Sequence, residues 1–225
     1  MASRRRPGAP ADFEEIRPNL FLIHNPALGP VLRGEGEREG FHFRLTGWRR
    51  AGLLGRLASR GFVTLTIPDR IAALPAPPIT TLGPARTITV GAKQQLSLLD
   101  LSARGGWQPI PTSDKGTVTL REGQIVRRRR GRGPAEYLRI TAAGWEIVPA
   151  DHAILIAYGQ LTSRPFLKIA TTPDGWILPD FPLPKEYRQV LGQIALPHTE
   201  GWLLSGELER EMATALLAKL GVTIG

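Results

Sequence analysis

The sequence predicts a β-rich α+β protein, with several antiparallel hairpins, one internal helix and two C-terminal helices. Three observations predict it. Short runs of β-branched and aromatic residues recur between Gly- and Pro-containing turns. Three segments carry apolar residues at helical spacing. All five Trp (Trp48, Trp107, Trp145, Trp176 and Trp202) follow a Gly. A turn glycine that opens a return strand, with the Trp ring packed inward, explains that last pattern, and an aromatic platform for stacking bases is the functional alternative. At 225 residues the chain is one large domain or two small ones.

Residues 1–12 are small, Pro-rich and basic and read as a disordered tail. A small N-terminal β/α segment is expected over 13–71. In it, Leu20 to Ile23 is a strand between turns, Arg33 to Gly40 a polar loop, and Phe41 to Leu45 an alternating strand. Arg49 to Arg60 is the internal helix, with Leu53, Leu54 and Leu57 on one face and Gly61 as its stop. Phe62 to Ile67 is rich in β-formers. Residues 72–86 carry four prolines and read as a linker or long loop.

The rest, 87–225, reads as a hairpin-rich domain closed by helices. Thr87 to Val90 is a short strand. Lys115 to Arg130 reads as a hairpin turning at Arg121-Glu122-Gly123. Tyr137 to Thr141 with Trp145 to Val148 is a second, and Phe166 to Ala170 with Trp176 to Leu178 a third. These last two repeat one pattern: aromatic, Leu, basic, Ile, turn, Gly-Trp, apolar, Pro. Ala153 to Tyr158 reads as an apolar strand. Pro184 opens a helix with Tyr187, Val190, Leu191 and Ile194 on one face. Ser205 is placed to cap the last, whose stripe is Leu208, Met212, Leu216 and Leu220.

Charge is the strongest functional signal. The chain has 29 basic against 20 acidic residues, a net of +9, and 24 of the basic residues are Arg. Residues 1–130 hold 21 basic and 10 acidic side chains, and residues 131–225 hold 8 and 10, so the excess lies before residue 131. Arg suits phosphate bidentately and stacks on bases. The densest cluster is Arg127-Arg128-Arg129-Arg130-Gly131-Arg132. Four consecutive Arg on a strand point to both faces and need partners if buried, so this arm is expected at a sheet edge or on an extended finger. Residues 123–127 with 137–141 and Gly144 look like the wing of a winged-helix domain, although residues 105–116 lack that domain's helices. Arg49, Arg50, Arg56 and Arg60 on the internal helix are the second set of candidate phosphate contacts.

A second motif is Gln94-Gln95-Leu96-Ser97-Leu98-Leu99. Gln95, Leu96, Leu98 and Leu99 resemble the short peptide with which bacterial replication and repair proteins dock on the sliding clamp, with Leu99 where an aromatic is usual. The alternative is that these leucines belong to the core.

Enzyme signatures are absent from the sequence. With no Cys there is no disulfide, thiol nucleophile or Cys-held metal. The four His are far apart, and no phosphate loop, dinucleotide fingerprint or GxSxG elbow occurs. No catalytic residue, metal or cofactor is expected. Nor is a signal peptide, membrane helix or membrane partner, which implies a soluble, cytoplasmic protein. The sequence therefore points to a non-enzymatic nucleic-acid-binding subunit of a larger assembly, on DNA or RNA. It would use the Arg arm, the basic helix and the tail, with the C-terminal helices meeting protein subunits. Neutralising about 6–8 phosphates would give a log–log salt slope of about −5 to −7. A structural protein of a phage-like particle or multisubunit machine, and a clamp-docking accessory factor, are the alternatives.

Overall fold

The computed structural model describes residues 11–45, 49–102, 106–161 and 163–225. The chain is mixed α+β and rich in strand, and it divides into two compact units, meeting in sequence between Ala73 and Leu74.

The first unit is built on one five-stranded sheet. Its elements are β1 (Phe13–Arg17), β2 (Leu20–Ile23), the short α1 (Gly29–Leu32), β3 (Gly36–Glu39), β4 (His42–Leu45), α2 (Arg50–Ser59), β5 (Thr64–Leu65) and α3 (Ile67–Ala73). The strand order is β3-β4-β2-β1-β5, antiparallel except for the β1–β5 pair. Alternation puts Phe13, Phe21 and Phe43 on one face, where the first two rings stack at 4.4 Å between centroids. Leu53 and Leu57 of α2 close that core. Gly61, at φ +79°, ends α2 as expected: its N–H and that of Phe62 bond back to the Ala58 and Leu57 carbonyls.

Between these elements lies a fully buried charge. Glu15 is fully buried, and its carboxylate accepts from both terminal nitrogens of Arg50 and from the Asn19 and Ile67 backbone N–H groups. A buried carboxylate needs such a full set of donors.

Four expectations for this unit change. Asp12 is not tail: it is buried and accepts from the Val63 N–H and the Asn25 amide. The polar stretch 33–40 contains β3, an edge strand whose charged side chains leave its free side unattractive to other strands. The strand expected over 62–67 stops at Leu65. Thr66 and Asp69 bond reciprocally as a capping box, and Ile67-Pro68 start α3 instead. The chain thus holds more helix than the one internal and two C-terminal segments expected.

The second unit begins with the proline-rich stretch, which is held against it. The Tyr187 hydroxyl donates to the Pro75 carbonyl, Lys219 to Leu74, and the Gly83 N–H to Glu122. Its strands are β6 (Ala85–Thr89), β7 (Gln94–Leu99), β8 (Trp107–Pro109), β9 (Thr117–Arg121), β10 (Ile125–Arg130), β11 (Glu136–Thr141) and β12 (Gly144–Ile147), followed by α4 (Ala150–Gly159). Then come β13 (Phe166–Leu167), β14 (Ala170–Thr172), β15 (Gly175–Pro179), α5 (Lys185–Ile194), β16 (Leu196–His198), β17 (Gly201–Leu204), α6 (Glu207–Ala218) and β18 (Thr223–Ile224). A five-stranded sheet runs β12-β11-β10-β7-β8, a two-stranded one β6-β9, and a four-stranded one β14-β15-β17-β16.

The expected hairpin over 115–130 does not form. β9 pairs with β6, whereas β10 pairs with β11 and β7. Val118 and Leu120 from β9 meet Leu96, Val126, Leu138 and Ile140 from the larger sheet in one core. The turn at 121–123 is therefore a corner between two packed sheets, and burial of both apolar faces outweighs the local pairing of neighbours.

Ala153 to Tyr158 is helix α4, not strand. The run is apolar throughout, so no period marks it. Pro149 at its start and burial of Ala153, Ile154, Ile156, Ala157 and Tyr158 fit a helix covered on most sides. The third hairpin shifts: β14 turns into β15, and Phe166–Leu167 pairs in parallel with β18. The hairpin of β11 and β12 forms as expected. The buried faces of α5 and α6 also match, but Pro184 stands one position before α5, and Gly206, not Ser205, precedes α6 with no side-chain cap. Those apolar faces are buried inside this unit.

Candidate nucleic-acid interface

The Arg arm lies inside a sheet, not at its edge. β10 has β11 on one side, with Arg127 opposite Tyr137 and Arg128 opposite Glu136. It has β7 on the other, with Arg129 opposite Gln95 and Arg130 opposite Gln94. Alternation sends Arg128 and Arg130 to the face bearing Val126, and Arg127 and Arg129 to the opposite face.

Interior position is possible because the first two guanidiniums have partners. Arg128 is 6% exposed. Its Nε donates to Glu136 at 2.9 Å, and its guanidinium lies 4.9 Å from the centre of the Trp145 ring. Arg127 lies over Trp107 at 5.5 Å with its Nε buried and unpaired. Burial holds its pKa below the ordinary arginine value. The same device recurs in the C-terminal sheet, where Arg188 lies over Trp202 at 5.9 Å and Arg210 over Trp176 at 5.0 Å. Each Trp among the described residues is thus half-buried with an arginine against its ring, an arrangement between the inward packing and the open platform expected of these rings. Trp48 lies outside the described residues.

Arg129, Arg130 and Arg132 are exposed and form no ion pair among the described residues. The antiparallel register brings Lys93 beside them: its carbonyl accepts from the Gly131 N–H at 3.2 Å, and its side chain is exposed. Lys93 carries no signal in the sequence, because its place follows from the pairing of strands about 35 residues apart.

The basic helix is less free than its sequence suggests. Arg50 is bound to Glu15 and lies 5.4 Å from the Phe21 ring centre, Arg56 pairs with Glu35, and Arg49 donates to the Gly34 carbonyl at 2.6 Å. Arg60 is exposed. The basic tail over 1–10 lies outside the described residues.

The clamp-like motif is strand β7. Leu96 and Leu99 are buried, Ser97 is covered, Leu98 is half-buried and packed against the core, and Gln95 alone is exposed. Paired with β10 and β8, the segment would have to leave the sheet to be gripped as an extended peptide.

No group of three or more His, Cys, Asp or Glu that could hold a metal occurs among the described residues, and no helix among them is long and apolar enough to cross a membrane. The geometry gathers the exposed Lys93, Arg129, Arg130 and Arg132 at one end of the five-stranded sheet. No family model, curated protein or solved structure matches the chain.

Proposed function

We propose that this protein binds nucleic acid through its phosphates, without catalysing a reaction on it. The carrying observation is the gathering of Lys93, Arg129, Arg130 and Arg132, all exposed, at one end of the five-stranded sheet. Cations held at the end of a rigid sheet lose less entropy on binding than the same charges on a loose tail. Arg also fits phosphate oxygens in a fork.

Contact by these four cations gives a log–log salt slope of about −3 to −4. That is shallower than the sequence suggested, because Arg127, Arg128 and Arg50 are engaged inside the protein and Arg56 pairs with Glu35 at the surface. The test is fluorescence anisotropy with labelled oligonucleotides across a salt series, for the natural protein and for Arg129→Ser/Arg130→Ser/Arg132→Ser. The variant is expected to lose about three-quarters of the slope. An unchanged slope refutes the proposal.

A further inference from the structure

We propose that the sheet face beside these cations is a stacking platform for the bases of a single strand, so that the protein prefers single-stranded nucleic acid to duplex. This rests on the phosphate-binding function proposed above and adds the class of strand it takes.

The platform is made by Trp107 and Tyr137. They stand on β8 and β11, which are separated by β7 and β10. Three strand spacings put those backbones about 14 Å apart. Yet the two rings meet edge to face with centroids 5.5 Å apart. Both side chains must therefore lean inward across the central strands. Register puts Ser97 and Arg127 on this same face beneath them, and both are covered: Ser97 is 8% exposed and the Arg127 Nε is buried.

The face has two ends. At one, Leu99 and Ile125 are buried, and α4 packs against β10 and β11. At the other, Gln95 and Arg129 are exposed. The ring pair sits between them, half-buried, with Arg127 against Trp107 and Arg129 one step along β10.

Charge complementarity chooses the occupant. An apolar protein partner would leave Arg129 on this face, with Lys93 and Arg132 at the sheet end beside it, without counter-charges. A single strand offers both halves of the match: flat bases for the rings and a phosphate every nucleotide for the cations. A duplex offers only the phosphates, because its bases are stacked on one another.

The experiment measures binding of four labelled probes: 12-nucleotide single strands of DNA and of RNA, and the matching duplexes. Four proteins are compared: natural, Tyr137→Leu, Trp107→Phe, and Arg129→Ser/Arg130→Ser/Arg132→Ser. Circular dichroism and urea midpoints check that each is folded. Tyr137→Leu is expected to weaken single-strand binding about tenfold, the worth of one base–aromatic stack, and to leave duplex binding unchanged. Trp107→Phe keeps a ring and retains the single-strand preference. The triple Arg variant weakens both kinds of probe. The DNA and RNA arms show which sugar the protein accepts. Equal single-strand and duplex affinity in the natural protein, or a Tyr137→Leu effect common to both, overturns the platform while the phosphate proposal stands. Binding unaffected by the Arg variant overturns the phosphate proposal itself. A natural protein that binds none of the probes overturns both.

Discussion

Arg128 and Arg130 share one face of one strand, and their surroundings give them opposite work. Arg128 is enclosed by Glu136 and Trp145, so its charge is used within the fold. Arg130 is exposed. Arg128→Ala is expected to cost about 2–3 kcal/mol, below the full cost of breaking a buried pair, because the Glu136 side chain is 39% exposed and can rehydrate. Arg130→Ser is expected to stay within about 0.5 kcal/mol of the natural protein in stability. Urea unfolding followed by circular dichroism separates the two. Equal stability losses would show that Arg128 is no more structural than its neighbour. The run of four Arg stands out in the sequence. Which of them face solvent does not, because Glu136, Trp107 and Trp145 come from strands whose places depend on pairing. Tyr137 and Trp107 were each visible as strand residues, but their meeting across two strands left no trace in either segment.

At the scale of elements, local patterns succeeded where one face is wet. The alternation of Phe41 to Leu45 and the stripes on α5 and α6 mark half-buried elements, and they form. Patterns failed where burial removes the contrast, as in α4, or where two strands adjacent in sequence belong to different sheets, as at β9 and β10. The Gly-Trp device survived because it is a local backbone requirement. Gly201 has φ +145°, and a Cβ there would lie 2.1 Å from the Leu178 carbonyl oxygen. Gly61 has φ +79° but open space around its Cβ position. Gly61→Ala is therefore expected to cost about 1 kcal/mol, from backbone conformation alone. Gly201→Ala should cost about 3 kcal/mol, because the β15–β17 pairing must shift as well. Urea midpoints measure both, and a Gly201→Ala cost no larger than that of Gly61→Ala would refute the clash.

For the whole molecule, net charge turns out to be a poor guide to the site. Residues 1–73 hold 12 basic and 7 acidic side chains, and residues 74–225 hold 17 and 13, so the two units carry +5 and +4. The asymmetry counted along the chain comes from where β10 falls in sequence, not from one basic domain. What ties the second unit together is more legible in its tyrosines. The Tyr187 hydroxyl donates to the Pro75 carbonyl and the Tyr158 hydroxyl to that of Pro182, each at 2.7 Å. Burial pushes Tyr187 up to about 12, and raises Tyr158 as well. An unfolded tyrosine ionises near about 10. Both phenols hold their protons more tightly when folded, so the stability they confer is fully present below about pH 10. It falls as pH rises through the range between the unfolded and folded values, where the unfolded chain alone has ionised. The urea midpoint of the second unit should therefore drop from about pH 10 upward. Tyr187→Phe should make that drop shallower, and Tyr158→Phe with Tyr187→Phe shallower still, although each Phe variant starts from a lower midpoint at pH 8 because a backbone carbonyl loses its hydrogen-bond donor. A drop equally steep in the double variant would mean that other groups set the alkaline limit, and that these two phenols do not pin the proline-rich stretch and the 181–184 loop in the way their hydrogen bonds indicate.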